Sequence, residues 1–341
     1  MIVSIISSCT EKYEFTDDIH NAVISVNKIY GDGSRYCAFT SLIKRDFNYY
    51  LAFREGSSHI GVDDYGVIRI LKSNDLKNWR IIATISEEFV DLRDPNLSIM
   101  PDGNILLICG ARIKEGDTYI TKTYYAKEYQ ENFSNLFLAN IRPKNGFSNI
   151  SWVWKVTWHG GKGYGVCYGN NKAGDSFSIS LVATNDGEDY EILKNFSIEG
   201  SPSEARVRFT DDNTMIILLR RGPLERGMIG SSKPPYSEWE WRELNVYLAG
   251  QDFIIDEDRI ICVTRTSQDV FEKTCVYWGQ TNGNFEWSYI LPSSGKGGDT
   301  SYGSILAEDN EYVISYYSMH ETEKPSIYIV TIPKLYYPLK K

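Results

Sequence analysis

The sequence predicts an all-β chain closed into a six-bladed β-propeller. Three observations lead there: helical periodicity is missing, turns recur at an even spacing, and one strand–turn–strand unit appears six times. No long i, i+3, i+4, i+7 apolar stripe occurs. Short apolar runs bounded by Asp, Asn and Gly dominate, the pattern of strands joined by tight turns. The turns read Arg-Asp-Phe-Asn (45–48), Pro-Asp-Gly-Asn (101–104), His-Gly-Gly-Lys (159–162), Asp-Asp-Asn (211–213), Asp-Glu-Asp (256–258) and Glu-Asp-Asn (308–310). Neighbouring turns are roughly 45 to 60 residues apart, the period of propeller blades. Asp, Asn and Gly suit such turns because they tolerate positive φ or bond their own backbone.

Each turn joins two strands. The first strands are expected at 36–43, 94–100, 152–158, 205–209, 251–255 and 302–307. The second strands are expected at 49–55, 105–112, 163–169, 215–221, 259–265 and 311–318. Six units that each bury only part of their apolar surface close naturally into a ring. A parallel α/β sheet would need crossover helices, and none is visible; two β-sandwiches are the alternative arrangement. The propeller is expected as one domain over 21–341, preceded by an N-terminal segment over 1–20.

Composition narrows the function. The 341 residues are 42% apolar, enough for a full core, and include 24 Tyr and 8 Trp, which suit both strands and sugar-stacking surfaces. A net charge of −9 argues against nucleic acid or an anionic membrane as partner. Cys9, Cys37, Cys109, Cys167, Cys262 and Cys275 form no CxxC pair, so they read as structural thiols rather than a zinc or redox site. No stretch reaches the ~20 apolar residues of a membrane span. The opening MIVSIISSC reads either as the tail of a bacterial lipoprotein signal, which would place the protein in the periplasm or on the cell surface, or as an ordinary strand.

If the turns mark one face of the ring, first-strand starts and second-strand ends meet on the other. Polar residues collect at those positions. Second strands end at Arg54, Arg112, Tyr168, Arg220 with Arg221, Arg265, and Tyr316 with Tyr317. First strands begin near Arg35, Arg93 with Asp94, Glu204 with Arg206, Asp252 and Tyr302. Any one Arg there can be a solvated strand end. Several converging on one point need an anion, and the planar guanidinium suits a carboxylate. An acidic sugar is therefore the expected ligand. His59 and His320 follow strand ends and are candidates for substrate contact or proton transfer, or are solvated loop residues. They have no metal-ligand spacing.

Ser73-Asn-Asp-Leu-Lys-Asn-Trp79 and Thr184-Asn-Asp-Gly-Glu-Asp-Tyr190 share one pattern, and Ser-Glu-Trp-Glu-Trp (237–241) and Asn-Phe-Glu-Trp (284–287) look like degenerate copies. The pattern resembles the Asp box, or BNR repeat, of sialidase-type propellers, one residue shorter than usual. With AFTSLI, AFREGSSH, DLRDP, SEARVRF, GDTSYGSIL and SYYSMHE, the chain resembles the sialidase superfamily over roughly 30 to 335, closest to bacterial sialidase-like hydrolases.

The resemblance implies a Tyr nucleophile at Tyr302, activated by Glu204, with Arg220 sixteen residues beyond Glu204 as one arginine of a carboxylate-binding triad and Arg265 as another. The family's Arg-Ile-Pro segment is absent. Arg35 occupies the corresponding strand start, with Arg54 and Arg93 as competitors. The family's acid sits in a loop before the first Asp box, which holds Asp63 and Asp64 here; Asp94 is the preferred alternative, because it opens a strand on the expected site face and the following Pro fixes the local backbone. The expected activity is retaining exo-hydrolysis of a terminal acidic sugar, by a monomer without a cofactor. Action on other acidic sugars with His as acid or base, by hydrolysis or elimination, and glycan binding without catalysis are the rivals.

Overall fold

The computed structural model describes residues 25–61, 64–142, 150–170, 177–266, 272–294 and 298–334. Among them the regular elements are all strands. Among the described residues no helix is long and apolar enough to cross a membrane.

All six expected hairpins are present. Tyr36–Arg45 pairs with Asn48–Gly56, Val90–Ile99 with Ile105–Glu115, and Ile150–His159 with Lys162–Asn170. Ala205–Phe209 pairs with Met215–Leu219, Asp252–Asp256 with Arg259–Arg265, and Thr300–Ala307 with Glu311–Ser318. The largest boundary difference is in the second hairpin, whose first strand starts at Val90 rather than Asp94. Pro95 sits inside that strand because a bulge between Arg93 and Asn96 releases its nitrogen from the ladder.

In four sheets the hairpin is extended by two further strands. The last of these sheets is completed by Ser25–Tyr30, which pairs with Ser326–Pro333, so the start of the described chain closes onto its end. The remaining two hairpins do not form separate four-stranded sheets. A two-residue parallel bridge, Ile150–Ser151 against Thr121–Lys122, fuses them into one ten-stranded sheet. The sheets are thus four of four strands and one of ten, a β-propeller arrangement that differs in sheet count from the six separate blades expected.

The first strands of the hairpins contact one another in a closed circuit, from Tyr36–Arg45 round to Thr300–Ala307 and back. Apolar cores fill the gaps between neighbouring arrays. Leu51, Phe53, Val313 and Ile329 fill one, and Ile216, Leu218, Phe253 and Cys262 another. Each such side chain contributes about 1.5–3 kcal/mol on full burial. Cys37, Cys109, Cys167, Cys262 and Cys275 are buried thiols within these layers, as expected of structural cysteines; Cys9, like the whole segment 1–20, lies outside the described residues.

The two repeated turns owe their shape to their aspartates. Asp75 accepts the Lys77 and Asn78 amides at 2.9 and 2.7 Å, and Asp186 accepts those of Glu188 and Asp189 at 2.9 and 3.0 Å. Trp79 and Tyr190 then pack into the cores. These turns fix the outer parts of the sheets and place no polar group at the axis.

Candidate active site

Four inner strands carry a bulge near the same end: between Ala38 and Ser41, Arg93 and Asn96, Val153 and Val156, and Ser301 and Ser304. Each bulge encloses two residues, and the first of each pair is Phe39, Asp94, Trp154 or Tyr302. Phe39, Asp94 and Tyr302 adopt φ of 64°, 43° and 43°, and Ser301 has φ of 119°. Non-glycine residues seldom adopt such angles, which cost on the order of 1–3 kcal/mol each and persist where the surroundings enforce them. Here the bulges break the strand alternation and aim these side chains at one place. The Tyr302 ring lies 5.0 Å from Phe39 and 6.2 Å from Trp154, both edge-on.

The centre of the site is one hydrogen-bonded group. Tyr302 donates its hydroxyl to Glu204 Oε1 at 2.6 Å, and Arg220 Nη1 donates to the same oxygen at 2.7 Å. Glu204 Oε2 accepts the Gly250 amide at 2.7 Å. Gly250 has no tolerable substitute: its φ is +60°, and a Cβ would stand 2.4 Å from Tyr302 Cδ2. Gln251 donates to the Glu204 carbonyl at 2.8 Å and so holds the strand start.

Electrostatics separate the roles. Burial and the Glu204 charge push the Tyr302 hydroxyl well above its usual value, so it stays neutral. Burial acts to raise Glu204 too, but the Arg220 charge and the bonds from Tyr302, Arg220 and Gly250 outweigh it and hold the carboxyl below its usual range. A neutral phenol therefore donates to an ionised carboxylate. Asp94 is the contrasting group. Burial, helped by the Glu204 charge and opposed by Arg93 and His59, raises it to about 6. Asp94 Oδ1, Trp154 Nε1 and Arg265 Nε are all buried without a hydrogen-bond partner among the described residues.

Arg265 is nine-tenths buried and within electrostatic reach of Tyr302 and Tyr317. Its Nη1 lies 3.5 Å from both Asp299 and Glu272. Arg93 lies 5.0 Å from the Phe39 ring and donates to the His59 carbonyl at 2.6 Å. His59 Nδ1 lies 2.8 Å from Asp299 Oδ2 and 2.9 Å from the Tyr36 hydroxyl, with its ring edge-on to Phe39 at 5.3 Å. Asp299 also accepts from Tyr317 at 3.0 Å and from Tyr36. The Tyr302 group, Arg265, Arg93, Asp94 and His59 thus line one end of the axis.

Three expected residues do not join them. Arg54 is fully buried and spent on Asp91: Nε and Nη2 bond Asp91 Oδ1 at 3.0 and 2.7 Å, and Nη1 bonds the Ser58 carbonyl at 2.8 Å. Asp91 also accepts the Gly61 and Gly66 amides, so this pair ties down the chain around His59 and cannot hold a ligand. Arg35 is two-fifths exposed and bonds Asp64 at 2.5 Å. It is a rim residue, and its bond to Asp64 holds that carboxyl below its usual value, which unsuits Asp64 as an acid. His320 is held by Ser318 at 2.9 Å and packs on Tyr328 at 4.7 Å, on the outer strands. Asp63 lies outside the described residues.

Asp299, Trp154, Phe39 and Gly250 are site residues that the sequence reading did not single out. Asp299 stands in GDTSYGSIL, three residues before Tyr302, and that closeness was the available signal. Phe39 and Trp154 carried no signal, because nothing in an apolar strand marks a bulge. No group of three or more His, Cys, Asp or Glu among the described residues could hold a metal ion.

Solved structures share this fold. A protein of unknown function from Dyadobacter fermentans superimposes with a TM-score of 0.77 at 15% identity, over 90% of this chain and 98% of that one. Trypanosoma rangeli sialidase, in complex with sialic acid, gives 0.65 at 10% identity over 91% of this chain. This chain spans 59% of that sialidase's length. An α-L-arabinofuranosidase from Fusarium graminearum gives 0.66 at 12% identity, over 91% and 97%. At these identities the likeness is one of fold: a sialidase-like propeller. No protein-family model matches the sequence, and no curated protein matches it.

Proposed function

We propose that the protein is a retaining exo-glycosidase that releases a terminal acidic sugar from a glycan. The observation that carries this reading is the Tyr302–Glu204 hydrogen bond of 2.6 Å, with Arg220 on the same carboxylate oxygen. Tyr302 Oη attacks the anomeric carbon while its proton passes to Glu204. Asp94, titrating near 6, gives its proton to the leaving oxygen as the glycosidic bond breaks; it then takes a proton from the water that attacks the anomeric carbon, while Glu204 returns its proton to the departing Tyr302 oxygen. A neutral phenol approaches an anionic sugar without the repulsion a carboxylate nucleophile would meet. Arg265 Nε, which has no hydrogen-bond partner among the described residues, and the remaining donors of Arg220 and Arg93 receive the sugar carboxylate. The solved sialidase and arabinofuranosidase of like fold support carbohydrate as the ligand class.

In the same reading the ten-stranded sheet counts as two blades, giving a six-bladed, single-domain, monomeric propeller, and the turns at Asp75 and Asp186 are Asp boxes. The test is hydrolysis of 4-methylumbelliferyl sialosides, uronides and arabinofuranosides by the full chain. Tyr302→Phe and Glu204→Gln should each lose at least about 1000-fold in kcat/KM on the preferred substrate. Full activity in either variant would remove Tyr302 as nucleophile. Preference for the arabinofuranoside would overturn the acidic sugar, a reading that Arg54 favours by being unavailable to a substrate carboxylate.

A further inference from the structure

Two residues along the inner strands from the Glu204–Tyr302 pair lies a second charged group that the chemistry above does not use. Side chains at i and i+2 of a strand share a face, so Arg206 follows Glu204 toward the axis and Asp252 follows Gly250. Asp252 is surrounded by cations. Arg206 Nε is 2.9 Å from Oδ1, Arg208 Nη2 is 3.0 Å from Oδ1, and Lys155 Nζ is 3.7 Å from Oδ2. Ser304 and the Phe253 amide also donate to it, at 3.0 and 2.9 Å. This carboxylate is saturated.

Arg206 Nη1 also donates to the Val156 carbonyl at 3.3 Å and Arg208 Nε to the Phe253 carbonyl at 2.6 Å, so the unspent donors are chiefly those of Lys155, whose Nζ lies 4.6 Å from the Trp154 ring, and Arg206 Nε, which has no hydrogen-bond partner among the described residues. Lys155, Arg206 and Asp252 are all more than nine-tenths buried. Among the described residues, none of the three cations forms an ion pair with any carboxylate except Asp252. Glu204, the next carboxylate along, is already paired with Arg220. Three positive groups thus face one negative one. Lys155 carries three N–H donors, yet its one hydrogen bond among the described residues is to the Gln251 carbonyl at 3.4 Å. A buried ammonium with unspent donors and two buried or half-buried guanidiniums is not stable without a counter-charge.

We infer that the protein binds a small monovalent anion, of chloride size, between Lys155, Arg206 and Arg208 on the propeller axis. A monatomic anion demands no fixed donor geometry, so the ammonium of Lys155 and the guanidiniums of Arg206 and Arg208, which already gather around Asp252 from two strands, can share it. The bound ion brings the charge toward balance and saturates Lys155. Without it Lys155 gives up its proton more readily than an ordinary lysine, since burial pushes that ammonium down to about 8.

The test uses thermal melting of the full chain at equal ionic strength in sodium bromide, chloride or gluconate, with bromide anomalous scattering from crystals. The expected result is a melting temperature roughly 3–5 °C higher in about 150 mM halide than in gluconate. A bromide peak should lie within contact of Lys155 Nζ, and Lys155→Met should lose the halide response. Equal melting in halide and gluconate, bromide only at the surface, or an unchanged response in Lys155→Met would each overturn the site. Because the readout is not activity, failure here is separate from failure of the glycosidase reading.

Discussion

Replacing Asp94 by Asn separates what this carboxyl does for chemistry from what it costs the fold. Asp94 is 7% exposed, and its φ of 43° is one that Asn adopts readily, so the substitution keeps shape and backbone while removing the charge. The carboxyl titrates near 6 in the fold and near its usual 3.8 in the unfolded chain. The folded value is the higher one. The fold therefore favours the protonated form, a contribution fully present below 3.8 and lost as pH rises through 6. Above that, the native state holds an ionised buried carboxylate. At about 1.4 kcal/mol per pH unit, the span corresponds to about 3 kcal/mol.

Urea unfolding of wild type and Asp94→Asn at about pH 4 and about pH 8 measures it. The variant should gain about 3 kcal/mol on wild type between the two conditions. It should also lose at least about 100-fold in kcat, and with it the fall in activity expected of wild type above a pH of about 6 if Asp94 is the acid. A stability gap that stays constant across the range would refute the buried-acid assignment. An activity profile unchanged in the variant would refute Asp94 as the acid.

Two further outcomes follow from contacts around the site. Asp91→Asn leaves the Arg54 guanidinium buried against a neutral partner, and should cost about 3–5 kcal/mol in denaturant unfolding; no loss would mean that Arg54 finds another acceptor. Gly250→Ala puts a methyl 2.4 Å from Tyr302 Cδ2 at a φ of +60°, so it should displace the Tyr302 ring and, if Tyr302 is the nucleophile, cut kcat by about 100-fold or more, with KM changing less. A fully active Gly250→Ala protein would show that Tyr302 does not need this seat.

Much of the arrangement was present in the order of residues. Turn chemistry at six places and apolar runs on either side sufficed for six hairpins, because a tight turn and its flanking strands are local matters. The spacing from Glu204 to Arg220 was equally readable: sixteen residues span one hairpin, and the two ends of a hairpin must meet. Tyr302 joined them through the resemblance of its segment, and the tertiary structure then brought it across 98 residues to 2.6 Å from Glu204.

What tertiary structure alone decided is which charge meets which. Arg54 and Arg265 end equivalent strands and look alike in the sequence, yet Asp91 takes both Nε and Nη2 of Arg54 while Arg265 keeps a buried nitrogen without a hydrogen-bond partner among the described residues. Arg35 reaches outward to Asp64, and Asp299 gathers His59, Tyr36 and Tyr317 from distant segments. Backbone strain was equally hidden, since Phe39, Asp94 and Tyr302 take positive φ only because neighbouring strands impose bulges on them. Periodicity and turn chemistry act over a few residues and fix the strands. Partner choice and pKa depend on burial and on groups far away in the chain, which only the closed ring brings together.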